Sequence, residues 1–265
     1  AIVEGSPLLH NVIIENNEAY YYGGGMSIEE GSGPLILESS VSGNNVIRSN
    51  SNGGGVYCTE SQPVFIDAEV SANTSENGAG MYIMNSLPVL TGVTFYENEA
   101  EFDGGALYIS EGSDPFLFEC SFTANTATGS GGAIRADLGT DLYLSDCDIY
   151  ENHATSGGGI AFHNLSTASF DPAERCNIYS NEGLSNGSDL SSDGCEVIHV
   201  LVDTFTVIHP TDYFAYTCEN FEFDILHYIL EQGAFDLYVS TEGSDENSGT
   251  SPDEPLLTVK NALNK

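Results

Sequence analysis

The chain has 265 residues, 40 of them Asp or Glu against five Lys or Arg, for a formal net charge of −35. Such a polyanion repels nucleic acid and anionic lipid headgroups, which excludes both as partners. With 40% hydrophobic residues, 14 Tyr, 13 Phe and acid spread along its length, the sequence reads as a folded chain with an acidic surface.

No run of 18 apolar residues occurs, so no helical membrane span is predicted, and the opening "AIVEGSPLLHN" has neither the basic n-region nor the apolar core of a signal peptide. Strong acidity with 29 Gly and almost no Lys suits an extracellular or cell-surface protein.

From Pro7 onward the sequence repeats. "PLLHNVIIENN", "PLILESSVSGN", "PVFIDAEVSAN", "PVLTGVTFYEN" and "PFLFECSFTAN" each place an Asn ten residues after a Pro, at Asn17, Asn44, Asn73, Asn98 and Asn125. Two copies without the Pro end at Asn152 and Asn181, and successive Asn are 27, 29, 25, 27, 27 and 29 residues apart. Three residues before each Asn stand Ile14, Val41, Val70, Phe95, Phe122, Ile149 and Ile178; two before those stand Val12, Ser39, Ala68, Val93, Cys120, Cys147 and Cys176. Both columns are predicted to point inward.

After each of the first six Asn comes a small-residue block, "GGGM", "GGGV", "GAGM", "GGAL", "GGAI" and "GGGI", and a period of two continues beyond it. Alternating runs punctuated by Gly and Asn every ~27 residues describe one coil of a parallel β-solenoid. Stacked coils would bury like residues over like, and Asn amides ~4.8 Å apart can bond from coil to coil.

"FTAN" (122–125) and "GGAI" (131–134) resemble the paired FxxN and GGA(I/L) motifs of polymorphic outer membrane protein repeats. That family of surface adhesins and autotransporter passengers implies a right-handed parallel β-helix, here of about seven coils. The resemblance covers roughly residues 5–185, and the solenoid is assigned to residues 1–200.

Residues 201–235 lose the register and read as a strand-rich extension or linker. Phe221, Phe223 and Ile225 alternate as a strand does, while Leu226, Ile229 and Leu230 also fit a helix ended by Gly233; the strand reading is preferred. Residues 236–265, with "LYVS", an acidic Gly loop, a P-x-x-T turn and a short helix, resemble the opening cap of secreted β-helix proteins. Tyr238, Val239, Leu257, Val259 and Leu263 are its candidate interface. Three readings stay open: the cap covers the first coil of a second molecule and builds a head-to-tail filament, it folds back in cis, or it begins a second β-helix in a longer protein.

A catalytic reading has little to build on. The available cations are Arg48, Arg135, Arg175, Lys260 and Lys265, and neither Arg135 nor Arg175 lies in an evident carboxylate cluster. Asp146 and Asp148, flanking Cys147, are the best candidate acid pair, with Glu119 one coil from Asp146, yet among 40 acids such neighbours arise by chance. The six His show no metal-binding spacing.

Cys58, Cys120, Cys147 and Cys176 fall on inward columns as free thiols, whereas Cys195 and Cys218 are a candidate disulfide. Asp245, Asn247 and Asp253 form a candidate calcium loop, the one cofactor suggested, and Asn164 and Asn186 open glycosylation sequons. The resulting expectation is a non-enzymatic structural or adhesive surface protein that self-associates or binds surface ligands such as glycans. The alternatives are a polysaccharide-active enzyme, a carbohydrate-binding module, or a passenger fragment of a larger adhesin.

Overall fold

In the computed structural model, which describes residues 1–48, 51–230 and 237–263, the chain winds into a parallel β-solenoid of about eight coils. Each full coil contributes one short strand to each of four parallel sheets. The first sheet runs from Ile2–Val3 through Met81–Met84 and Ile134–Ala136 to Ala215–Tyr216, and the third from Ile13–Glu15 to Phe221–Tyr228; each has nine strands among the described residues. The second and fourth sheets, beginning at Leu8–His10 and Glu18–Ala19, have seven each.

The period of two becomes burial directly: in Met81–Met84 the side chains of Met81 and Ile83 point into the core while Tyr82 and Met84 lie outside. Pairing is in register, Val70 beside Phe95 beside Phe122, so like residues stack. The Phe95 and Phe122 rings stack with centroids 4.8 Å apart and planes nearly parallel. This row, with Cys120, Cys147 and Cys176 in the neighbouring one, forms a continuous apolar core.

Corners between the second and third sheets are made by one residue per coil in the left-handed region: Asn11, Glu38, Asp67, Gly92, Glu119 and Asp146. A side chain there costs about 1 kcal/mol or more. Each corner is tied to the next coil, as when Glu38 N donates to Ile66 O at 3.0 Å and Asp67 N to Thr91 O at 2.9 Å. The glycine block makes another corner. Gly131 has φ 69°, and a Cβ on Gly132 would sit 2.3 Å from Gly158 O, so backbone occupies the space a side chain would need.

The seven Asn form one row. Asn98 donates both its backbone N–H, at 3.1 Å, and its Nδ2, at 2.9 Å, to Asn125 Oδ1, and its Nδ2 also reaches Val70 O. The same pattern links Asn17 to Asn44 and continues through Asn73, Asn125 and Asn152 to Asn181. Beyond Asn181 the column position falls on Ile208, three residues after Phe205, the partner of Ile178. Asp189 replaces the missing amide. Standing where the earlier coils have Gly or Ala, it turns its Oδ1 to accept from Asn181 N at 3.1 Å and Nδ2 at 3.0 Å.

The solenoid runs past residue 200. Ile198–Phe205 continues the third sheet beside Cys176–Tyr179, and Phe221–Tyr228 pairs with it in turn. Residues 221–228 are therefore strand; Gly233 lies outside the described residues. The C-terminal segment buries Leu256, which forms an isolated parallel bridge with Val239, and ends in the helix Val259–Leu263.

Candidate functional site

The outward face of the first sheet concentrates the polar chemistry. Its central column stacks Tyr57, Tyr82 and Tyr108 at 5.7 and 5.0 Å between ring centroids, the Tyr22 ring from outside the sheet lies 4.7 Å from that of Tyr57, and Arg135 follows with its guanidinium 6.0 Å from the Tyr108 ring. Stacking covers the ring faces, and burial, helped by neighbouring phenols, pushes the Tyr57 hydroxyl up to about 12. Burial, then Asp137, raises Tyr108 further. These phenols stay neutral.

Arg135, with only 11% of its side chain exposed, lies 3.3 Å from Asp103 Oδ1 and 2.9 Å from Asp137 Oδ2 and also donates to Ser130 Oγ. This corrects the expectation that Arg135 stands apart from carboxylates: Asp103 comes from the preceding coil, a juxtaposition that only the winding creates. Asp137 also accepts from Tyr108 Oη at 3.1 Å, Asn164 Nδ2 at 2.7 Å and Leu138 N at 2.8 Å. Burial opposes its charge, but the bonds from Asn164 and Arg135 outweigh it and hold the carboxyl below its ordinary value. Burial, then Arg135, lowers His163 below the ordinary imidazole range. Chemically, the network holds one guanidinium between two carboxylates, so that its cation is fully engaged.

Arg175 likewise binds a carboxylate, Asp224 at 2.8 Å, and donates to the Asp224 and Val202 carbonyls, stapling the last strands of the third sheet. Arg48 lies over the Tyr20 and Tyr21 rings at 4.9 and 5.2 Å. Lys265 lies outside the described residues. Of the candidate catalytic acids, Glu119 and Asp146 are corner residues, whereas Asp148 opens a third-sheet strand and accepts from Asn177 Nδ2 at 2.8 Å.

Asp245 is engaged elsewhere than in a cation cage. Its Oδ1 accepts from Leu257 N at 3.0 Å and Thr258 N at 2.8 Å just ahead of the C-terminal helix, and Asn247 Nδ2 donates to Pro255 O at 2.8 Å. Asp253 joins neither, and no group of three or more His, Cys, Asp or Glu among the described residues is arranged to hold a metal ion. Cys195 and Cys218 are a second correction: both are free thiols, directed to the carbonyls of Asp193 at 3.6 Å and Pro210 at 3.3 Å.

Tyr238, Val239, Leu257 and Val259 are all exposed; the Leu263 side chain lies outside the described residues. Lys260, one residue along, forms an ion pair with Glu182 of the same chain, beside a hollow of about 280 Å³ lined by Asn181, Thr206, Phe214 and Leu230. One row escaped the sequence reading. Ser32, Ser61, Ser86 and Ser113 accept backbone N–H groups from the preceding coil, as Ser61 Oγ does from Ser32 N at 3.1 Å. Their signal was a Ser two residues before each of Pro34, Pro63, Pro88 and Pro115.

Among the described residues no helix is long and apolar enough to cross a membrane. The chain matches no curated protein and no solved structure. A family model described as "Right handed beta helix region" matches residues 9–129 and 44–199, most of the solenoid. With the parallel four-sheet winding and its repeating Asn row, that match places the chain in the right-handed β-helix family.

Proposed function

We propose that this chain is a non-enzymatic surface protein outside the cell, a rigid structural or adhesive spacer of the kind its polymorphic outer membrane protein-like repeats suggest. One observation carries the reading: the densest charged constellation, Arg135 with Asp103 and Asp137, is closed upon itself. A lyase arginine has to face the proton being abstracted, and a hydrolase acid has to hold a proton at working pH. Arg135 is held between two carboxylates and Asp137 is kept ionised by its donors. The test is incubation with a panel of neutral and acidic polysaccharides, followed by assays for reducing ends and unsaturated products. No release is expected; release abolished by Arg135→Ala would overturn the proposal.

Self-association is favoured by a separate observation. Phe221–Tyr228 is an eight-residue edge strand, with Leu226 and Tyr228 exposed and no strand on its far side among the described residues. Such an edge templates pairing with another chain, tempered here by Glu222 and Asp224. The Lys260–Glu182 pair supports the C-terminal segment lying against its own coils rather than capping a neighbour. Electron microscopy of concentrated protein is expected to show filaments that Ile225→Pro, within the edge, suppresses; monodisperse single rods at every concentration would remove self-association from the proposal.

A further inference from the structure

The outward face of the second sheet breaks the acidic pattern of the remaining surface. In register one outward column reads Leu8, Leu35, Val64, Val89, Phe116, Tyr143, and a second, two residues further along each strand, includes Leu37, Ile66 and Phe118. From Leu8–His10 to Phe116–Phe118 the outward positions hold no Asp, Glu, Lys or Arg, whereas those of the third and fourth sheets include Glu69, Asp148, Glu99 and Glu182. Leu8, Leu35 and Phe116 are 63%, 36% and 42% exposed. The Phe116, Phe118 and Tyr143 rings cluster beside them, 5.6 to 6.4 Å apart. Leaving a continuous apolar strip in water opposes the hydrophobic effect, and such strips mark interaction surfaces.

Carboxylates frame the strip on both sides. The corner leading into the sheet carries Glu60 and Glu111, and the corner leaving it carries Glu38, Asp67, Glu119 and Asp146, all exposed. No Lys or Arg takes a left-handed corner position. A second copy, bringing the same corners and its own charge of −35, is repelled from this face, as is an anionic membrane. A cationic partner is attracted. Dimensions narrow the partner further: the two outward columns lie about 7 Å apart, and the five intervals from Leu8 to Tyr143, at about 4.8 Å each, span about 24 Å. That strip admits one α-helix laid along the stack, about 16 residues long at 1.5 Å per residue, with its apolar stripe down and its flanks over the acidic corners.

We propose that this face docks a cationic amphipathic helix of another polypeptide, its apolar stripe on the Leu8-to-Tyr143 column and its flanking Lys or Arg side chains paired with Glu60 and Glu111 on one side and Asp67 and Glu119 on the other. The docking supplies the adhesive part of the proposed function with a partner chemistry and rests on that reading for its setting alone. The two fail separately, docking through the peptide measurements below and the non-enzymatic reading through the polysaccharide panel.

The test is fluorescence anisotropy of the full chain with a labelled Leu/Lys peptide of roughly 16 residues, its leucines on one helical face, beside a scrambled peptide of the same composition, at about 150 mM salt. The patterned peptide is expected to bind roughly tenfold more tightly than the scrambled one, and Leu35→Ser combined with Phe116→Ser to remove that preference. Both side chains are exposed, so circular dichroism is expected to show the fold retained; should the double variant unfold, Leu35→Ser alone carries the test. Asp67→Asn with Glu119→Gln is expected to weaken binding a few-fold, and Tyr96→Ser, exposed on the third sheet, to leave it unchanged. Equal binding of the two peptides would reduce the effect to bulk charge and overturn the proposal. So would a preference indifferent to the Leu35 and Phe116 changes, equal binding of a Leu/Glu peptide of the same pattern, or sedimentation showing a dimer of the chain that those changes dissociate.

Discussion

Asp189 is the residue on which the internal amide row ends, and its environment makes it a titrating group. It is fully buried, its Oδ1 takes two donors from Asn181, and its Oδ2 has no partner. Burial, against the bonds that favour the anion, pushes it from 3.8 up to about 7. A carboxyl whose folded value is raised keeps its proton on folding, so its contribution to stability is complete below about pH 4. It is lost as pH rises to about 7 and is constant above. Asp189→Asn keeps an acceptor without the charge. Thermal melts from pH 4 to 8 are expected to show the variant gaining on the parent as pH rises, by on the order of a few kcal/mol, then levelling off; parallel curves would refute the assignment. Within the row, Asn125→Ala leaves the Asn98 N–H and Nδ2 without their acceptor, a loss of about 3 kcal/mol or more. Asn17→Ala, at the exposed first coil, is expected to cost less than about 1 kcal/mol. Denaturant titration of the two variants compares them directly.

At the level of strands and corners, the glycine block and the C-terminal helix make contrasting predictions. Gly132→Ala drives a methyl into the Gly158 carbonyl and is expected to destabilise by about 2 kcal/mol or more, seen as a lower Tm. Because Asp245 receives N–H donors ahead of Val259–Leu263, adding a chelator is expected to leave Tm unchanged; a fall of several degrees would restore the calcium reading. These elements also mark what was readable. The Asn and inward columns were legible because their period survives six intervals, and the free thiols of Cys120, Cys147 and Cys176 followed from it. Asp189 was not legible, since in sequence it is only one acid among 40 and lies eight residues from its partner. The coils beyond residue 200 were hidden because Ile208 replaces the Asn and a loop separates Phe205 from Ala215.

For the whole molecule, stacked coils bring a charge of −35 onto one narrow rod, where corner acids such as Glu119 and Asp146 lie one coil apart. At about 10 mM salt the Debye length of about 30 Å leaves this mutual repulsion nearly unscreened, which weakens the fold. Raising sodium chloride from about 10 to 150 mM is therefore expected to raise Tm, as differential scanning fluorimetry would register; a flat response would mean the acids are far enough apart to ignore one another. The amino-acid order by itself determined the coil, because a period of two inside a period near 27 leaves a chain only one economical way to bury its apolar residues. It determined the Asn row for the same reason. Winding alone decided the rest: it set Asp103 against Arg135 and brought Asp189 under Asn181. Those neighbours are remote in sequence or hidden among like residues, and only the stacking of coils brings them within bonding distance.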